Sequence, residues 1–586
     1  MYRVPLKEIR FALHRLVGDG QLAGSAGFED YSVEYADTVL DEAASFAEKE
    51  LAPLNAIGDR KGAVWTAEGV LPPAEFKAAY AKYSEAGWST LRAPVEFGGQ
   101  GAPTVLNTAV EEIWSSANLA FKLCPMLTRG AVEALVHCGS DDQKRRFLPK
   151  LVSGAWTGTM NLTESQAGSD LGAIRTRAVP DGDDYRIFGE KIFITYGDHN
   201  FAENIVHLVL ARIDGAPAGT RGISLFIVPK RVVDAAGDVG EANDLHCSAI
   251  ERKLGIHASP TCVMTYGGAG RGAIGHLVGE PNRGLEYMFI MMNAARLSVG
   301  LEGYSLAERA YQQASEWART RVQGRPAGGG VGTIIGHADV KRMLLTMRAG
   351  INAARATALY AGLQLDIAAN ATDAAVRARA QTRGDLLIPI VKGCATEMGV
   401  AAASLGVQVH GGMGFIEETG AAQHLRDVRI TTIYEGTTGI QGIDLVGRKV
   451  GRDSGAAMHE LIADMRAEIG GLDASVEVSV AMGGVREAID LLAGATETVL
   501  KASARGSQYA QAIAVPYLHL AGTAIGAWMT AKAYDAATRS AAEDPEFYAA
   551  KRQECRFYLD NVVPQVLSLA RVIERGADSV VDAELA

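Results

Sequence analysis

Tyr185-Arg186-Ile187-Phe188, Lys191-Ile192-Phe193-Ile194-Thr195, Asn204-Ile205-Val206-His207-Leu208-Val209-Leu210 and Gly222-Ile223-Ser224-Leu225-Phe226-Ile227-Val228 decide the fold. These runs are rich in β-branched and aromatic residues, and turn clusters such as Asp181-Gly182-Asp183-Asp184 separate them from their neighbours. They predict a β block of roughly 125 residues. Outward from it the texture is helical. In 31–150, Tyr35, Val39, Ala43 and Phe46 form an apolar stripe with Leu40 beside it, and loops interrupt at Pro72-Pro73 and at 94–101. Helical periodicity resumes near Leu285 and persists to about 450, and a last helical block fills 451–586. Helices and strands segregated in this way predict an α+β chain, not a doubly wound sheet. The expected division is a leader and helical domain at 1–155, a middle β domain at 156–284, a helical-bundle domain at 285–450 and a helical extension at 451–586. Ile9, Phe11, Leu13 and Leu16 predict one amphipathic helix in the leader.

A chain of 586 residues with 48% hydrophobic and 21% charged residues can bury a large core. Its formal net charge of −11 argues against a nucleic-acid or anionic-membrane binder. The six cysteines are scattered without a C-x-x-C pair, which predicts free thiols in a reducing compartment and no metal site. The charged N-terminus has no apolar signal core, so a cytoplasmic protein is expected. Residues 506–531 carry no formal charge, but Pro516, His519 and Gln511 point to a buried helix that starts or kinks at the proline, not a membrane span.

No phosphate-binding loop, zinc-protease motif or nucleophile elbow is present. Three clusters of small and polar residues remain. Met160–Asp170 combines Gly168 with the hydroxyls of Thr163 and Ser169; it fits either a turn or a backbone that approaches a flat ligand. Gln408–Phe415 contains Gly411, Gly412 and Gly414 around His410. Ile433–Gln441 sets one carboxylate, Glu435, among apolar and small residues. Burial there strengthens a base, while Glu435 could equally open the helix that runs through Ile440.

Taken together and in this order, the clusters resemble the acyl-CoA dehydrogenase family. The leader and the tail resemble its large bacterial branch, and RVQGRP (321–326) and KLGIHASPTCVM (253–264) are most similar to members acting on 3-(methylthio)propanoyl-CoA. The resemblance implies a helical domain, a β-barrel-like middle domain and a four-helix domain. It implies FAD as cofactor, no metal, and Glu435 as the base that removes the α-proton of an acyl-CoA while the β-hydrogen passes to the flavin. Leu162, Thr163, Ser169, Phe193, Ile194, Thr195 and Thr437 match flavin-lining positions. Arg321, Gln408 and Gly412 match a flavin site completed by a neighbouring subunit, which implies at least a homodimer. Ser169, Asn293, Arg296 and Gly436 match substrate-side positions. Electron-transferring flavoprotein is the implied acceptor. The chain departs from the family pattern at Ser165 and Gln166, where many members have Pro and Gly, and in a Gly-rich insertion at 328–332.

Other readings within reach of the sequence are a dehydrogenase of medium or long acyl chains, an acyl-CoA oxidase, a nitroalkane oxidase and a flavin-loaded assembly or DNA-binding protein. A nitroalkane oxidase would carry Asp in place of Glu435. A DNA binder needs a basic tail, and residues 451–586 hold 12 Lys and Arg against 19 Asp and Glu.

Overall fold

The computed structural model describes every residue except 1, 328, 330, 331, 473–475 and 586. Most of the Gly-rich insertion noted above (Gly328, Gly330 and Val331) therefore lies outside the described residues. The architecture is α+β, with a β-rich middle domain between helical regions. By compactness the chain forms two units, one of residues 1–45, 103–116 and 296–586, the other of 46–102 and 117–295.

In the second unit the β runs become a sheet of eight strands. Its order is Leu245–Ile250, Thr261–Tyr266, Asp184–Thr195, Ala273–Val278, Ile223–Pro229, Asn204–Ile213 and Trp156–Asn161. Neighbours are antiparallel except the last two, which run parallel. The eighth strand, Arg177–Asp181, pairs with both Asp184–Thr195 and Asn204–Ile213 and so closes five strands into a ring. Closure removes two sheet edges, and the sheet buries a core of Ile187, Ile194, Val209, Phe226, Cys262 and Met264. Residues 185–188 and 191–195, separate runs in the sequence, belong to the single strand Asp184–Thr195. Gly189 joins them at φ 149°, where an added Cβ would lie 2.9 Å from the Thr176 Cα.

The first unit is helical. Its long helices are Gly284–Thr320 (from residue 296 onward), Ala338–Asn370, Ala374–His410, Val476–Arg505 and Ala514–Arg539. The 514–539 helix carries Pro516 in its first turn, where a missing N–H costs nothing, and is buried over most of its length. Ile9, Phe11, Leu13 and Leu16 of the leader are all buried, with Phe11 edge-on to Phe547 and Tyr548 at 6.0 Å each. Glu8 binds Lys551 and, at 2.8 Å, Arg348. The Val33–Phe46 helix corrects the expected stripe by one residue: its buried face is Ala36, Leu40, Ala43 and Ala44, while Tyr35, Val39 and Phe46 are only half-buried. All six cysteines are free, and no His, Cys, Asp or Glu group suited to a metal occurs among the described residues. One described helix, Ala374–Phe415, is long and apolar enough to cross a membrane, but 72% of its most apolar window is buried inside the protein, as in a core helix.

Candidate active site

Glu435 lies just outside a helix, not within its first turn. Thr437 caps the Thr438–Asp444 helix, its hydroxyl accepting from the Ile440 N–H at 3.3 Å. Glu435 precedes the cap in a left-handed conformation, φ 56°. Such a backbone costs a side-chain-bearing residue about 1–2 kcal/mol, so neighbours must hold it. Gly436 follows at φ 91°, where a Cβ would lie 2.8 Å from the Gln441 amide nitrogen; only glycine fits. Two side chains grip the turn. Lys392 Nζ donates to the Gly436 carbonyl at 2.6 Å, and Gln441 Nε2 donates to the carbonyls of Glu435 (3.2 Å) and Gly436 (3.1 Å). Thr437→Ala is expected to cost about 1 kcal/mol through loss of the cap, read as a lowered Tm, with Thr437→Ser retaining most of it.

Part of Glu435 stays accessible, but protein encloses the carboxyl closely enough that burial raises it to about 7. Arg296 and Lys392 pull it down and Glu302 pushes it up. Arg296 is buried and pairs with Asp444 at 3.6 Å, and Asp444 also meets Arg448 at 3.5 Å. Glu302 accepts a hydrogen bond from the Tyr434 hydroxyl. Among the described residues nothing accepts a hydrogen bond from the Glu435 amide. An enclosed carboxylate near neutrality beside a free N–H can remove a proton and bind a carbonyl oxygen at one place.

A second cluster in the same unit holds the exposed Arg321 guanidinium over the Trp317 ring at 5.9 Å, with His410 stacked on that ring at 5.3 Å. Gln408 and Gly412 flank His410 and are exposed, as is Phe415. His410 Nδ1 donates to the Gly406 carbonyl of its own helix at 2.7 Å, which is a structural role.

The remaining predicted residues belong to the other unit. Phe193 is 58% exposed at φ 60°, in a bulge where Ile192 and Phe193 together face one residue of the Thr261–Tyr266 strand. A bulge re-aims a side chain, and here it turns a large aromatic outward. Thr195 and Thr163 are half-buried near that strand, Thr163 through its carbonyl to the Ile192 N–H at 2.9 Å. Leu162 is half-buried and Ser169 exposed. Ile194 points into the β core, leaving only its backbone for a ligand. Asn293 is half-buried on the 284–320 helix. Met288 and Met291 are buried, and Met291 fills the space over Gly130, so they are packing residues.

Sequence reasoning missed the residues that hold these groups in place. In the β unit, Lys191 and Glu164 form a buried pair at 2.8 Å. Against the pull of burial, Lys191 holds the Glu164 carboxyl at about 2. Glu164 also accepts from the Arg175 and Thr176 amides, and Lys191 donates to the Leu162 carbonyl, so this pair orders the 162–176 loop. Lys392 had a visible signal: it is the sole charge between Asp385 and Glu397 in an apolar run. The uncovered Phe193 ring with Thr163 beside it, and the exposed Arg321 with open glycines at 411 and 412, fit the flat and anionic parts of a flavin dinucleotide.

Four models of one family account for most of the chain: acyl-CoA dehydrogenase N-terminal domain over 34–155, middle domain over 159–267, C-terminal domain over 282–451, and acetyl-CoA dehydrogenase C-terminal like over 458–584. A 3-methylmercaptopropionyl-CoA dehydrogenase of Ruegeria pomeroyi is 44% identical with both chains fully covered. A broad-specificity linear acyl-CoA dehydrogenase of Mycobacterium tuberculosis is 33% identical over 98% of this chain and 97% of its own. In fold, the chain is similar to Caenorhabditis elegans ACDH-11 in complex with C11-CoA (TM-score 0.80, 20% identity, 100% and 96% covered). It is also similar to an acyl-CoA dehydrogenase complexed with FAD from Bacillus anthracis (TM-score 0.75, 20% identity, 95% and 90% covered). The chain belongs to the acyl-CoA dehydrogenase family, FAD-dependent oxidoreductases acting on the CH–CH bond of an acyl-CoA.

Proposed function

We propose that this acyl-CoA dehydrogenase takes 3-(methylthio)propanoyl-CoA, or a short straight acyl-CoA, with Glu435 as the base. The observation that carries the base is the enclosed carboxyl brought to about 7 in a turn that costs conformational energy to keep. The 44% identity to the 3-methylmercaptopropionyl-CoA dehydrogenase supports the substrate.

Glu435 accepts the α-proton. Its own amide, with no acceptor among the described residues, donates to the thioester oxygen and stabilises the enolate-like charge; one such donor contributes roughly 3–4 kcal/mol in comparable oxyanion sites. Arg296 and Lys392 oppose the upward push of burial and so favour the ionised carboxylate. Bound FAD supplies the two-electron acceptor. Thr163, Phe193, Thr195, Ser169 and the Ile194 backbone would line its ring, Thr437 would touch it beside the base, and Arg321, Gln408 and Gly412 of a second copy would hold its dinucleotide end. That sharing makes the enzyme at least a homodimer. Asn293, Ser169 and Gly436 would meet the acyl-CoA. We further take the four-part division at 155, 284 and 450, a cytoplasmic location, and electron-transferring flavoprotein as the acceptor.

The test is anaerobic titration of the FAD-loaded enzyme with 3-(methylthio)propanoyl-CoA and straight acyl-CoAs from C4 to C16. Bleaching of the flavin with the highest kcat/KM for the methylthio and C4 substrates is expected. Because the two differ little in shape, they should lie within about 10–200-fold of one another. A flavin left oxidised by every thioester rejects the catalytic reading, and a kcat/KM maximum at C8 or beyond rejects the short-chain one.

A further inference from the structure

Lys392 sits in the middle of the Ala374–His410 helix with no exposed surface at all. Its neighbours in sequence are Ile388, Pro389, Ile390, Val391, Gly393 and Cys394, none of them polar partners. A buried ammonium is costly, and a neutral amide would satisfy the one acceptor it bonds, the Gly436 carbonyl. Something beyond that single hydrogen bond explains a cation here.

The groups facing it come from every element around it. The 284–320 helix supplies Glu302, bound to Tyr434, and Arg296, bound to Asp444. Its own helix supplies Glu397, which accepts from the Thr438 hydroxyl at 2.6 Å. The 433–444 segment supplies Glu435, and Arg448 pairs with Asp444 beyond it. Two of these carboxylates already have partners: Glu302 has Tyr434, and Glu397 has Thr438. Asp444 has two arginines. The Glu435 carboxylate has neither an ion pair nor a hydroxyl partner among the described residues, yet feels both Arg296 and Lys392. Lys392 is thus bonded to the turn that carries Glu435 and positive towards its carboxylate.

We infer that Lys392 is a positioning residue for the base: its ammonium pins the left-handed turn through the Gly436 carbonyl and lends the Glu435 carboxylate the positive field that keeps it ionised. This rests on Glu435 being the base. Gln441 shares the grip on the turn but carries no charge, so geometry and field separate between the two side chains. Burial brings Lys392 down to about 8, so it is protonated where Glu435 must be ionised.

The experiment compares FAD-loaded wild type, Lys392→Met, Lys392→Arg, Gln441→Leu and Glu435→Gln, with kcat/KM measured from pH 5.5 to 9. In Lys392→Met the acid limb should move up by about one pH unit, because a neighbouring cation is gone. In Gln441→Leu the rate should fall with the limb unmoved. In Lys392→Arg the limb should return to within a few tenths of wild type. A Met variant slower than wild type but with an unmoved limb makes Lys392 a packing residue and overturns the inference. Should the Met variant fail to retain FAD, the Arg variant decides: a limb displaced by a unit overturns the inference, a wild-type limb supports it. Near-normal turnover in Glu435→Gln sinks the base itself, whatever the Lys392 variants do.

Discussion

Glu435→Gln is expected to lower kcat by about 10²–10⁴-fold while the protein stays yellow. Gln copies the shape of the carboxyl and fits the same left-handed turn, which Lys392 and Gln441 hold by backbone carbonyls and not by the side chain. What disappears is the proton acceptor. The groups assigned to the cofactor are Phe193 and Thr163 in the β unit and Arg321 near Trp317, so FAD should remain bound. Stability should move the opposite way. Folding raises this carboxyl from its ordinary 4.5 to about 7, so the folded state holds its proton more tightly. The stability that goes with the proton is complete below about 4.5 and is lost as pH rises through about 7. The Gln variant escapes that loss and should show the higher Tm at pH 8, with little difference at pH 5. Stopped-flow bleaching by acyl-CoA and calorimetry at the two pH values check both halves. Turnover within tenfold of wild type would remove Glu435 from the mechanism.

Arg355→Met is expected to cost about 3–5 kcal/mol of stability. Arg355 has no exposed surface and donates to Glu112 at 2.6 and 2.9 Å, to Glu308 at 3.2 Å and to Asn352. The cluster joins the 104–116 segment to the 284–320 and 338–370 helices. Methionine replaces most of the volume but leaves two buried carboxylates, which cannot both ionise without the guanidinium. Neutralising them requires protons, so the loss in Tm should be larger at pH 8 than at pH 5. Adding Glu112→Gln and Glu308→Gln to the Met variant should recover much of the loss, as a buried charge without a partner costs more than none. A Met variant melting within 2 °C of wild type would show that the cluster contributes little (about 1 kcal/mol moves Tm by roughly 2–4 °C in domains of 150–250 residues).

The block order was legible because β-branched, apolar runs such as 204–210 and 222–228 are bounded by turn residues, and helices flank them. Barrel closure was not. Arg177-Ala178-Val179-Pro180-Asp181 has no apolar alternation and buries only Ala178, yet it is the strand that closes the ring. The shifted stripe of the 33–46 helix has a similar origin. Ala36, Ala43 and Ala44 carry little hydrophobic weight in a sequence, but their size lets neighbouring elements come close, and so they are the ones buried. Glu435 could be singled out as a carboxylate among small residues, and the family resemblance chose between base and helix start. Its left-handed backbone and its tie to Lys392 were beyond reach, since the lysine is 44 residues from Gly436 in sequence. The exposure of Phe193 depends on a bulge, which has no composition signal of its own.

Glu8 and Lys551, joined in the finished molecule, are 543 residues apart. At about 5–20 residues per second, a ribosome takes roughly 30–110 s to go from one to the other. For nearly all of that interval Phe11 lacks the Phe547 and Tyr548 rings that it meets in the finished molecule. A helix made early thus completes its packing only when the 545–561 helix arrives, so a chaperone that holds the leader in the meantime should raise the yield of active enzyme.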